Sequence, residues 1–467
     1  MMKNNKIFSG IIKALFVMLI LLVWQENSCS QTTWTGAVDD KWQDAGNWGS
    51  GLPAAGVSAF INNNDAVVLD SGVASTQSLL VSGSSMLTVS NGVILSANRS
   101  SVGGGPLSTD SFLTINGTGS LVTISFPSSA LLIGKGSTAI DTTGTVTVEN
   151  GGELRLLNGL TGYVSLGGDN AINPTTGVST GKLIINGTAG SRGVMQFRQT
   201  RTSDDFGIIE FDGGILRAAG NESDFFQVDA PGTLTVTLKS GGGFIDTNGF
   251  DIGIDESITG TGALTKQGLG TLTLSGTSSY LGGTTVQAGT LSLAHNNAVG
   301  SGAITTTGAS IIDYATGVTI ANPIVLNSNG TQVQVNTGSA TQSGVISETG
   351  GARALEKIGA GALVLSGNNT YSGGTTLSQG TLVVGNNNAL GSGALTIGNN
   401  TTLSTTSPRR ITNDILLNGN FNIFPGGTVF NSTAFELDGN MDLGGGNRVI
   451  TNTMNFNATE SGQVSIG

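Results

Sequence analysis

Residues 270–293 read GTLTLSGTSSYLGGTTVQAGTLSL, and residues 361–384 read GALVLSGNNTYSGGTTLSQGTLVV. The two stretches lie 91 residues apart and share Leu272/Leu363, Leu274/Leu365, Tyr280/Tyr371, a GGTT run and Gly289/Gly380. Upstream, Leu264/Leu355 and Lys266/Lys357 match at the same offset, and downstream an NNA and a GSGA string recur. This is an internal repeat. Within TLTL, alternation sends Leu272 and Leu274 to one face and Thr271 and Thr273 to the other. TLTL at 271 and TLSL at 290 recur after 19 residues, the length of one winding of a β-solenoid. A 91-residue unit then holds four or five coils, with leucines stacked inward and threonines outward. Glycines mark the corners. Asn296–Asn297 and Asn387–Asn388 are expected at turns, stacking as amide ladders.

The same grammar reaches upstream. From residue 61 to 260 runs such as SMLTVSNGVILSA and GTVTVENGGELRLLNG alternate over four to six residues between Gly and Asn turns. The chain has 74 glycines, 5% aromatic and only 10% charged residues. β-branched residues in alternating runs distinguish it from a disordered chain, which lacks material to bury. A net charge of −11 without clustered Lys or Arg excludes nucleic acid as a partner.

The stretches 262–293 and 353–384 resemble the autotransporter-associated β-strand repeat, also called the passenger-associated transport repeat. Arg353 and Glu356 depart from its usual Gly and Thr. The resemblance implies an all-β, right-handed parallel β-helix (β-solenoid), secreted or displayed at a bacterial surface. It implies export machinery of the outer membrane as a partner and no catalytic residue. Such proteins end in a membrane barrel, whereas this sequence stops at NFNATESGQVSIG in strand-and-turn material. The expectation is a chain truncated at its C-terminus.

Residues 1–30 read as a signal peptide. Lys3 and Lys6 precede an apolar run, and Ser28 and Ser30 set cleavage before Gln31. The run from Ala14 to Trp24 is short for a membrane span, so none is expected in the mature chain. Cys29, the single cysteine, would leave with the signal. Residues 31–60 hold Trp34, Trp42 and Trp48 and form the expected N-terminal aromatic-rich cap, covering the open end of residues 61–260. The alternative for these rings is stacking on sugars. Residues 261–467 carry the repeats.

Chemistry is sparse. A single histidine, His295, corresponds to Asn386 in the second copy, so a turn slot explains it. A His-dependent triad or multi-His metal site is excluded by count. Residues 191–206, with Arg192, Arg198, Arg201, Asp204 and Asp205, are expected to protrude as a loop. The densest acids are Asp246, Asp251, Asp255 and Glu256. If Ile252 and Ile254 face inward, Asp251 and Asp255 face outward but lie too far apart along the strand for acid–base pairing. Pairing across coils is open, as are a solvated face and weak calcium binding.

The expected function is structural or adhesive: a passenger-type surface protein without enzymatic activity, its repeats assisting secretion, its polar rows touching glycans or other surfaces. No catalytic, cofactor-binding or metal residue is assigned, and no cofactor is expected. The alternative is a polysaccharide lyase or glycoside hydrolase using surface carboxylates. It requires Arg198, Asp204, Asp205 and the acids of 246–256 to converge.

Overall fold

The computed structural model describes residues 30–62, 64–102, 110–125, 130–134, 142–156, 163–167, 179–202, 205–425, 435–452 and 464–466. The expected signal peptide and Cys29 lie outside them. Within them the chain is almost all strand, with one three-residue 3-10 turn at Ala45–Asn47. Strands of successive coils pair in parallel. The one antiparallel ladder among the described residues is a local hairpin, Ser179–Thr188 against Ser191–Arg192. The molecule is a parallel β-solenoid, as the sequence predicts.

Each coil presents strands that stack on those of the next, and the period-two pattern sets which side chains enter the core. Leu272 pairs in register with Leu291, and Leu363 with Leu382. All four are fully buried. Thr271 and Thr273 stay partly exposed on the other face. The inward stripe runs Ile252, Leu272, Leu291, Ile312, Val333 through successive ladders. Each buried aliphatic side chain contributes about 1.5–3 kcal/mol relative to exposure, so the stripe is the main source of cohesion.

The repeat fixes the geometry of the second half. Leu264–Gln267 belongs to an eighteen-stranded sheet, and that sheet continues through Thr284–Val286, Ile304–Thr306, Ile324–Leu326 and Ile346–Glu348. The next strand, Leu355–Ile358, is the counterpart of Leu264–Gln267 but lies in a ten-stranded sheet. Likewise Thr271–Leu274 lies in the ten-stranded sheet and its counterpart Ala362–Leu365 in a seven-stranded one. The 91-residue unit is therefore four coils plus one strand position. The second copy sits one face further round the solenoid.

At the N-terminal end, Trp34 and Trp48 meet edge-on with centroids 5.1 Å apart, and Trp42 meets Trp48 at 4.7 Å. All three rings are buried, and Trp48 Nε1 donates to the Trp42 carbonyl at 2.9 Å. No ring face is left for a sugar. Asn47, also buried, ties the segment down: its Oδ1 accepts from the Val38 and Asp39 amides, and its Nδ2 donates to Asp39 Oδ1 and the Lys41 carbonyl.

Residues 191–206 differ from expectation. They form strands Ser191–Arg192, Val194–Phe197 and Gln199–Thr202, not a protruding loop. Met195 and Phe197 are fully buried, so alternation overrides the local charge. Asp204 lies outside the described residues.

Candidate functional site: a carboxylate groove

Ile252–Ile254 is a strand with Ile252 and Ile254 buried, so the acids flanking it are driven to the surface. Asp251 and Asp255 are both exposed. Their roles then diverge. Asp251 Oδ1 accepts from the Thr271 amide at 2.8 Å, while the Asp251 amide donates to Asn221 Oδ1 at 2.9 Å. Asp251 is thus a link between coils. Asp246 turns to another face and pairs with Arg217 at 2.9 Å.

Asp255 and Glu256 are joined by Asp224 from the preceding coil. One carboxyl oxygen from each lies within 4.8 Å of the others. Glu256 is buried enough that its carboxyl is pushed up to about 8, first by desolvation and then by the charge of Asp255. Asp224 is raised by the same two causes, and Arg201 partly opposes the rise. Near neutral pH Glu256 therefore keeps its proton. Three carboxyl oxygens at this spacing also suit a hard cation such as calcium, which takes oxygen ligands.

The groove beside the trio is lined by Asn221, Glu222, Ser223, Asp251, Thr273 and Ser275. Arg198 pairs with Glu222 at 3.4 Å on this face. Arg201 lies over the ring of Tyr163 at 4.6 Å and donates through Nε to Gln199 Oε1 at 3.2 Å. The arginines and the acids thus converge in part: Arg201 acts on Asp224 and Arg198 pairs with Glu222 beside it, whereas Asp246 lies on another face of the coil with Arg217, and Arg192 covers Phe244 at 3.6 Å. Sequence reading missed Asp224. Its only signal was the acid pair in NESDFF, and nothing local says that this turn stacks under Asp255.

His295 fills the turn slot expected of it. Its Nδ1 accepts from the Asn297 amide at 3.1 Å, and in the second copy Asn386 Oδ1 accepts from the Asn388 amide at 2.9 Å.

The repeats also conceal polar groups. Lys266 and Lys357 are fully buried at inward positions, and burial pushes both amines down to about 8. Tyr280 donates or accepts across 2.6 Å with Thr284, and Tyr371 does the same with Thr375.

This arrangement defines a class: a parallel β-solenoid bearing two copies of the passenger-associated transport repeat, whose family model matches residues 264–293 and 355–384. The chain is also similar to the adhesin BmaC autotransporter of Brucella suis biovar 1 (strain 1330), at 36% identity over 166 residues. That match covers 34% of this chain and 5% of the relative, so the chain spans a small part of the relative's length. No solved structure matches.

Proposed function

We propose that the chain is a passenger-type adhesive protein, secreted or held at a bacterial surface after removal of its first 30 residues before Gln31. The observation that supports this most directly is the double repeat match on a parallel solenoid. Similarity to an adhesin autotransporter points the same way. Many identities between the two copies fall on buried or corner positions, among them Leu264, Lys266, Leu272, Leu274, Tyr280 and Leu291 with their counterparts. Outward positions are mixed: Thr285, Thr290 and Thr305 match their counterparts, whereas Thr265/Glu356, Gln267/Ile358 and Thr273/Val364 diverge. The repeat is thus a scaffold element, and contact with glycans or other surfaces comes from many dispersed polar rows. Folding of coils one upon another as they emerge would let the repeats assist passage through the outer-membrane export machinery. Among the described residues no helix is long and apolar enough to cross a membrane.

Adhesion is tested by binding of the purified chain to glycan arrays and to cell-coated surfaces. Saturable binding that weakens gradually as outward threonines are replaced is the expected result. Absence of binding at micromolar concentration to every surface sinks the reading.

A second reading, a polysaccharide-acting enzyme, is favoured by one observation. Glu256 is held protonated beside Asp224 and Asp255, in the manner of an acid with a raised pKa. Release of sugar ends from acidic or neutral polysaccharides, abolished by Glu256→Gln, would favour it over adhesion. No release across such a panel removes it.

A further inference from the structure

Solenoid coils cohere through interactions with their immediate neighbours, so the strength of each coil-to-coil contact sets whether the stack unfolds as one body. In the first repeat the coils pair by ladders on two faces, and the third face lacks one. The nine-stranded sheet ends at Ile258–Gly260, and the seven-stranded sheet begins only at Thr319–Ile320. On that face the coils between are joined by scattered bonds in place of a ladder: the Ser279, Leu281, Ser278 and Ser301 amides donate to the Ile258, Gly260, Asn297 and Tyr280 carbonyls, and Asn322 Nδ2 donates to the Val299, Gly300 and Gly302 carbonyls. The second repeat reproduces the gap one face on. The eighteen-stranded sheet ends at Ile346–Glu348, and scattered bonds replace the ladder there: the Thr370, Ser392 and Asn369 amides donate to the Ile346, Tyr371 and Asn388 carbonyls, the Ile346 amide to Asn369 Oδ1, and Ser372 to the Glu348 carboxylate.

Each gap lies in a repeat that carries a buried lysine. Lys266 stands in the inward column between Ile245 and Val286, in register with both. Lys357 stands between Val333 and Leu377. A leucine would continue either column. The lysines instead reach the Gly corner beside them. Lys266 Nζ donates to the carbonyls of Gln267 at 2.8 Å, Gly268 at 2.7 Å and Ala288 at 3.1 Å, and lies 2.9 Å from Thr247 Oγ1. Thr247 belongs to the coil before and Ala288 to the coil after. The Gln267 carbonyl is also the acceptor of the Thr247 amide at 3.0 Å. Lys357 Nζ donates to Ile358 and Gly359, both at 2.8 Å, and to Gln379 at 3.2 Å. It therefore ties its own coil to the next, and among the described residues it has no acceptor from the coil before.

We infer that these lysines are staples between coils, and that Lys266, which spans three coils at the junction of the N-terminal half and the repeats, makes the two halves unfold as one unit. The amine supplies N–H donors to corner carbonyls that point inward, away from water, where an unpaired acceptor is costly. Lys357, spanning two coils inside the repeat region, has only a local effect. The inference concerns the scaffold and holds whether or not the protein adheres to anything.

The test uses the full chain with Lys266→Met and Lys357→Met separately. For Lys266→Met, exchange of the Thr247 amide should quicken about tenfold or more, the equivalent of one lost hydrogen bond. Urea unfolding followed by amide exchange should split into two transitions, one for each half. Lys357→Met should keep a single transition. A single transition with unchanged Thr247 exchange in Lys266→Met overturns the inference. The unmodified chain supplies a second measurement that does not depend on a variant folding. Acylation of Lys266 should need the same urea concentration as global unfolding, while exposed Lys239 reacts in native buffer. Reaction of Lys266 at the rate of Lys239 also overturns it.

Discussion

A single side chain in this protein is governed by which way alternation points it and by what its corner lacks. Leu363 is fully buried and in register with Leu382. Leu363→Ala should cost about 2–5 kcal/mol, from lost transfer and the cavity left behind. Thr273→Ala on the outer face should stay within about 0.5 kcal/mol. Urea midpoints measure both. Titration makes a sharper case. Glu256 has a folded value of about 8 against an ordinary 4.5, so between those values the folded state holds more protons than the unfolded one. Its contribution is complete below 4.5 and is lost as pH rises through 8. Lys266 and Lys357 have folded values of about 8 against an ordinary 10.5, so in that window the unfolded state holds more protons. Their contribution therefore grows as pH rises from 8 to 10.5. Thermal midpoints across pH 4–11 should pass through a minimum near pH 8, and Glu256→Gln should flatten the acid limb alone.

At the scale of the element, strands were read more easily than the contacts between turns. The alternation in TLTL and TLSL predicts both strands and their parallel stacking at 19 residues, and Thr271 does pair with Thr290. The asparagine turns were read less completely. Asn388 Nδ2 does donate to Asn368 Oδ1 at 2.8 Å, one rung of the expected ladder. Asn296 and Asn387 instead accept backbone amides of the next coil, from Thr319 at 2.8 Å and Arg410 at 3.3 Å. A backbone amide without a ladder partner must find an acceptor, and the nearest amide oxygen takes it. The Tyr–Thr pairs satisfy buried hydroxyls, and Thr375 Oγ1 also donates to the Leu390 carbonyl at 3.0 Å. Tyr371→Phe removes a buried 2.6 Å hydrogen bond and should cost about 1 kcal/mol, with the circular dichroism spectrum unchanged.

The molecule as a whole is a stack of interchangeable windings. Ile304 pairs in register with Ile324, so the 20 residues 304–323 are one coil. Deleting 304–323 places Ile324 over Thr284 and should leave a folded, cooperatively unfolding chain. Deleting only 304–313 puts unlike strand positions in register and should abolish cooperative unfolding. Far-ultraviolet circular dichroism during urea titration distinguishes the two. Stacking also turns the second repeat to a new face. The two copies therefore present their surfaces in different directions, and one flat partner cannot meet both alike.

The inward leucines, the parallel coils and the turn role of His295 were already present in the sequence, because period two and glycine placement act over a few residues. The meeting of Asp224 with Asp255 and Glu256, the lysines beneath the corners and the rotation of the second copy belong to the tertiary structure. Each depends on the summed lengths of intervening coils, which decide what stacks on what, and no local pattern carries that sum.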